Sequence, residues 1–180
     1  MILIDRTYFV DDLSLPGLTV SECSENVGMR GRIEELTVGG LSLNRFIQKY
    51  QSEYLNKILG KELATAFIQG LSEQNPDGIW INLKNQLVDG ELKRSPLANY
   101  VYFYIMRYGL TFTTPSGEKK GKSDYAIDVS THKPEFAWNR MVDMNIEFLE
   151  WYAENRASYD GYTKGFGMDK NLLTYINIWI

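Results

Sequence analysis

The sequence predicts a mainly α protein: a compact helical bundle of about five helices with short β-strand arms at the N and C termini. Two observations indicate helices. Apolar residues recur at three- and four-residue steps between residues 43 and 155, and the segment Ser95–Tyr108 carries apolar or aromatic residues on every side. The arms are predicted from alternating apolar and polar residues near both chain ends.

One domain suits a chain of 180 residues, which is long enough to bury a core. We divide it into an extended N-terminal arm of residues 1–40, a helical body of residues 41–157 and an extended C-terminal tail of residues 158–180. In the arm, apolar residues alternate from Ile2 to Val10, and a second short strand is predicted at Glu35–Val38.

The body begins with an apolar stripe from Leu43 to Leu59, which Gly60 interrupts, and a second stripe follows from Leu63 to Leu71. A turn at Asn75–Gly78 precedes a short helix around Trp80–Leu87. The last strong helix is expected from Pro134 to about Asn155, where apolar and aromatic residues trace one face.

The helix starting at Ser95 is the most informative of the five. Ser95 is a good N-cap, Pro96 suits the first turn, and the residues that follow leave almost no solvent face. Such a helix must be surrounded by other parts of the structure. Its four tyrosines also need partners for their hydroxyls, which favours contacts with neighbouring helices or neighbouring subunits.

Two segments outside the helices are predicted to be exposed. The polar stretch Thr111–Asp124 is expected to project as a loop. In the C-terminal tail, alternation predicts a strand that pairs with the N-terminal strand or with another molecule, and deletion of Leu172–Ile180 is expected to leave the body folded. The candidate subunit or portal interface comprises Tyr175, Ile176, Ile178, Trp179 and Ile180 of the tail, with Ile2 and Ile4 of the arm.

Composition limits the function classes. The net charge of −4 does not suggest a nucleic-acid-binding surface, and the single cysteine, Cys23, excludes an internal disulfide. Neither an export signal nor an apolar membrane span is evident, so we expect folding in a reducing cytoplasm and no membrane partner. The aromatic content of 13% favours a protein that assembles with others.

Catalytic, cofactor and metal sites are not expected. The only histidine, His132, is predicted to be a solvated loop residue, and one histidine with one cysteine cannot build a closed zinc site. The stretch Gly117–Ser123 resembles a phosphate-binding loop but is one residue too short between its glycines. Its lysines Lys119, Lys120 and Lys122 could instead offer non-specific contacts to DNA phosphates.

Three stretches together carry a resemblance to a known family: residues 44–71, which contain YQSEYL and LGKEL, the aromatic segment from Ser95, and W-x-x-M-V-x-x-N at Trp138–Asn145. In their order and wording they resemble the helical head-tail connector proteins of tailed bacteriophages and prophages, also called adaptor or head-completion proteins, as in phages of gut Bacteroidetes. The resemblance covers about Leu43–Asn155.

The resemblance implies a structural virion protein in the neck of the particle, assembled in the bacterial cytoplasm. Copies would form a ring, commonly of about twelve, beneath the portal protein, extend the DNA channel and dock tail or neck proteins. It implies no catalytic residue and no cofactor. Another phage ring or tail-completion component stays open, as does a non-viral helical module that binds a peptide through its tyrosine-rich face. An enzyme using His132 or Gly117–Ser123 is the third alternative.

Overall fold

The computed structural model describes residues 1–15, 37–38, 41–109, 111–114, 117–120, 132–162 and 168–177. Within them the protein is mainly helical, as predicted, with five α-helices: α1 Leu43–Leu59, α2 Lys61–Leu71, α3 Gly78–Leu87, α4 Pro96–Gly109 and α5 His132–Asn155. Four 3-10 helices accompany them: η1 Arg6–Tyr8, η2 Asp11–Leu13, η3 Arg156–Tyr162 and η4 Lys170–Leu173. Two antiparallel hairpins pair β1 Thr37–Val38 with β2 Leu41–Ser42, and β3 Thr111–Thr114 with β4 Gly117–Lys120.

Helix boundaries follow the sequence signals. Gly60 separates α1 from α2 with φ at 77°, a conformation that favours glycine. The Asp77 side chain accepts a hydrogen bond from the Ile79 amide and so caps α3. Ser95 caps α4, since its Oγ accepts from the Ala98 amide at 3.3 Å and donates to the Leu87 carbonyl at 2.7 Å. The end of α3 and the start of α4 are therefore held together by one hydroxyl.

Helix α4 is the centre of the core, as its composition predicts. It packs against α5 on one side and α1 on another, while α2 packs against α1 and α3. Side chains from every turn of α4 are buried, including Leu97, Tyr100, Val101, Tyr102 and Ile105. The tyrosine hydroxyls and rings meet neighbouring helices within the same chain, so the tyrosine-rich face is core and not a free binding surface.

The N-terminal arm does not form the predicted strand from Ile2 to Val10. Asp5 accepts hydrogen bonds from the amide and hydroxyl of Thr7, which starts the 3-10 turn η1. The Leu3 amide donates to Gln51 Oε1 at 2.7 Å, and Gln51 Nε2 donates to the Met1 carbonyl at 3.0 Å. A side chain of α1 thus satisfies main-chain groups that a partner strand would otherwise bind.

Three other local predictions need correction. Thr111–Asp124 is not simply a polar loop, because eight of its residues pair as β3 and β4. His132 is the first residue of α5 and not a loop residue. The predicted strand at Glu35–Val38 is present only as Thr37–Val38 among the described residues, and its partner is the adjacent β2.

Candidate functional site

The C-terminal segment, defined here as Met168–Asn177, lies along α5 without forming a strand. Asn139 binds both main-chain groups of Ile176: its Oδ1 accepts from the amide at 2.9 Å and its Nδ2 donates to the carbonyl at 3.0 Å. Trp138 Nε1 donates to the Thr174 carbonyl at 2.9 Å. Side chains of a helix thus replace the neighbouring strand that the alternating sequence led us to expect.

The segment is also anchored in the core. Leu172 is fully buried, and its carbonyl accepts from Asn145 Nδ2 at 2.9 Å. Asn145 is itself fully buried and accepts the hydroxyl proton of Tyr54 at 2.5 Å through its Oδ1. Complete burial raises the pKa of Tyr54 well above its ordinary value, so the hydroxyl remains a donor. One amide therefore joins α1, α5 and the C-terminal segment.

This packing contradicts the expectation that Leu172–Ile180 can be deleted without harm to the body. Removal would take Leu172 out of the core and leave the Asn145 amide without its carbonyl partner. A second main-chain bond, from the Asp169 amide to the Lys57 carbonyl at 2.9 Å, ties the start of the segment to the end of α1. The segment is part of the helical domain.

Apolar side chains remain exposed on the outer side of α5 and this segment. We call Phe136, Ile146 and Tyr175 the α5–tail surface; their exposed fractions are 51%, 37% and 52%. The Tyr175 hydroxyl donates to Asp143 Oδ1 at 2.6 Å, a hydrogen bond that raises the pKa of Tyr175. A shallow groove of about 510 Å³ runs beside Tyr175 and Ile146, and its lining includes Arg94, Arg140, Glu147 and Glu150.

The predicted interface residues have different environments. Tyr175 is exposed, whereas Ile176 is partly buried against the core. In the arm, Ile2 is 38% exposed but Ile4 is only 2% exposed, so Ile4 packs inside the domain and does not offer a surface. Ile178, Trp179 and Ile180 lie outside the described residues.

The predicted DNA-contact lysines lie near one hairpin. Lys119 and Lys120 belong to β4, where their main chains pair with Phe112 and Thr111 of β3. Lys122 lies outside the described residues, as does the end of the Gly117–Ser123 stretch. Because Gly117–Lys120 is a paired strand, this part of the stretch does not form the loop that wraps a phosphate.

A polar cluster joins α1 and α4 at the edge of the core. Lys57 Nζ donates to Glu53 Oε1 at 2.8 Å and to the Tyr100 hydroxyl at 3.0 Å, and that hydroxyl donates to Glu53 Oε1 at 2.8 Å. Burial alone would raise the pKa of Glu53, but the hydrogen bonds from Lys57 and Tyr100 outweigh it and lower the pKa. Burial and the bond to Glu53 both raise the pKa of Tyr100, so the cluster favours a neutral phenol and a charged pair.

Metal and membrane sites were sought in the same residues. Across the part of the chain that the structure describes, no three histidine, cysteine, aspartate or glutamate side chains are grouped to hold a metal ion. None of the helices described is both long and apolar enough to cross a bilayer.

Sequence reasoning missed the amides that hold the two chain ends. Gln51, Asn139 and Asn145 are polar residues on helices, and each binds main-chain atoms of a distant segment. Asn145 belongs to the W-x-x-M-V-x-x-N motif, but its spacing alone does not reveal a partner 27 residues away. A signal existed only in its position, since Asn145 interrupts the otherwise apolar inner face of α5.

No protein-family model matches the chain, and neither the curated proteins nor the solved structures include a significant match to it.

Proposed function

We propose that this chain is a structural assembly protein, the subunit of a head-tail connector ring in a tailed bacteriophage or prophage. The sequence resemblance lies in α1, α2, α4 and α5, the helices that build the body. Copies would stack beneath a portal protein, extend its DNA channel and provide a docking surface for tail or neck proteins. The site of action would be the neck of the virion.

The observation that carries the proposal is the exposure of Phe136 and Tyr175 on the α5–tail surface. Phenylalanine and tyrosine that are half exposed on one side of a well-packed domain are typical of surfaces that a partner covers. Phe136 lies three residues before Asn139, which binds Ile176, so the helix and the C-terminal segment present this surface together.

A ring also requires a second patch on each copy, because head-to-tail contacts join two different surfaces. Met1 and Ile2 offer such a patch, with exposed fractions of 57% and 38%. Met1 borders a groove of about 220 Å³ that α1 and α2 line with residues including Leu55 and Ile68. We propose that this patch meets the α5–tail surface of the next copy.

The experiment is an assembly assay. The chain is mixed with candidate portal proteins encoded by neighbouring genes and is examined by electron microscopy, with the chain alone as the control. Rings bound to one portal candidate are expected, because a connector forms on its portal. A chain that stays monomeric and unbound with every structural protein from the same gene cluster would contradict the proposal.

The lysines of the β3–β4 region provide a second test of the same proposal. Replacement of Lys119, Lys120 and Lys122 by serine should leave far-ultraviolet circular dichroism and ring formation unchanged. Each phosphate contact that is lost should reduce the salt dependence of DNA binding by the ring. Unchanged DNA retention would show that these lysines do not face the channel, and loss of folding would show that they are packed.

A further inference from the structure

The C-terminal segment is held in a way that does not depend on which copy supplies it. Its polar contacts with Trp138, Asn139 and Asn145 all use main-chain groups, namely the carbonyls of residues 172, 174 and 176 and the amide of residue 176. Only Leu172 is fully buried among its side chains. The site on α5 therefore recognises an extended segment with one apolar anchor.

The site must also remain filled. Without the segment, the fully buried Asn145 would lose its carbonyl acceptor and the core would lose Leu172. A copy that released its own segment would consequently need the same segment from elsewhere, and a neighbouring copy carries it. Exchange conserves every contact of the closed domain, which is why swapping of terminal segments is a low-cost route to assembly.

The chain between the body and the segment permits such an exchange. Residues 161–167 read GYTKGFG, with three glycines in seven residues. From Tyr162 to Met168 a fully extended chain spans at most about 20 Å, which is the scale of the distance to a subunit in direct contact. Tyr162, at the start of this connection, is 40% exposed and would be available for contact with that subunit.

From these observations, and resting on the ring proposed above, we infer that the C-terminal segment Met168–Asn177 docks on α5 of the adjacent copy in the assembled particle. Within a ring the neighbour's segment is held at a high effective concentration, so intermolecular docking competes with docking on the same chain. Each copy is then bound to the next by a peptide whose removal would open the neighbour's core.

Cysteine cross-linking distinguishes the two arrangements. In a Cys23→Ser background, one tagged chain carries Asp143→Cys on α5, and a second chain with a different tag carries Thr174→Cys on the segment. Both positions are exposed, and Tyr175, next to Thr174, contacts Asp143. The two chains are co-expressed, assemblies that carry both tags are isolated, and a short bismaleimide is added.

Two-chain products are expected, because random mixing places unlike copies side by side at about half of the contacts. A single chain carrying both cysteines calibrates the reach of the reagent, since it reacts in either arrangement: it gives multi-chain products if segments are exchanged and one-chain products if they are not. Chains with Ile81→Cys and Thr174→Cys control for random collisions and should give no two-chain product.

Assemblies that carry both tags but yield only one-chain products would overturn the exchange and leave the connector proposal intact. Failure of the two chains to co-purify under any condition, including addition of the portal candidates, would overturn both. The first result is read from the cross-linking gel and the second from the tag purification, so the two failures are distinguishable.

Discussion

Replacement of Asn145 by alanine should destabilise the protein strongly, because this one amide serves two buried partners. The variant leaves the Tyr54 hydroxyl and the Leu172 carbonyl without hydrogen bonds, and both residues are fully buried. Each unsatisfied buried group costs about 1–3 kcal/mol, so the expected loss of unfolding free energy is about 2–6 kcal/mol. For a chain of this size, this lowers Tm by at least about 4 °C.

A double-mutant cycle with Tyr54→Phe tests the assignment. Phenylalanine alone removes the hydroxyl donor and leaves Asn145 Oδ1 unpaired, whereas the double variant has neither of those groups. The double variant should therefore lose less stability than the sum of the two single variants, by about 1–3 kcal/mol. Urea unfolding followed by circular dichroism gives the three free energies. Strictly additive effects, or a loss below about 0.5 kcal/mol for Asn145→Ala, would refute the reasoning.

Three further predictions concern the body of the protein. Gly70→Ala should cost about 1–3 kcal/mol, because a Cβ there would lie 2.2 Å from Trp80 Nε1; an unchanged urea midpoint would contradict the α2–α3 packing. Ser95→Ala should cost about 1–2 kcal/mol through loss of the α4 cap, measured against Ser72→Ala, an exposed serine whose loss should be nearly neutral. The native pKa of Glu53 is lowered, so the stability it provides is present above its usual value of 4.5 and is lost as the pH falls through the native pKa. Wild type should exceed Glu53→Gln in stability at neutral pH, and the difference should shrink in acid; a difference independent of pH would exclude this contribution.

The helices could be predicted because their signals are local. Apolar spacing defined α1, and the caps at Asp77 and Ser95 placed the starts of α3 and α4 within a residue or two. The composition of α4 also predicted its burial, since a helix without a polar face has no stable position at the surface. These features depend on residues within a few positions of one another.

The chain ends could not be predicted in the same way. Alternation from Ile2 to Val10 and at Tyr175–Ile180 is typical of strands, but alternation records only which side chains are apolar. What the main chain binds is decided by Gln51 and Asn139, which lie far away in sequence. Because these amides supply the hydrogen bonds, the described parts of both ends are extended or 3-10 helical without forming a sheet.

The candidate surface was predicted only in part. Tyr175 and Ile2 are exposed as expected, while Ile4 is buried and Phe136 was read as a member of an ordinary helix. The exposure of Phe136 follows from the position of α5 against α4 and the C-terminal segment, which no local pattern encodes. Surfaces of this kind become visible only when the packing of the helices is known.

The most direct test of assembly through the α5–tail surface is the mass of the particle formed by Phe136→Asp. Sedimentation velocity is measured for this variant, for wild type and for Ile81→Asp, which places the same charge at an exposed apolar residue of α3. Each chain is run alone and with the portal candidate that binds wild type, and circular dichroism confirms equal helicity. We expect wild type and Ile81→Asp to form the same large species and Phe136→Asp to remain monomeric and unbound. A particle of unchanged mass from Phe136→Asp would contradict the central claim.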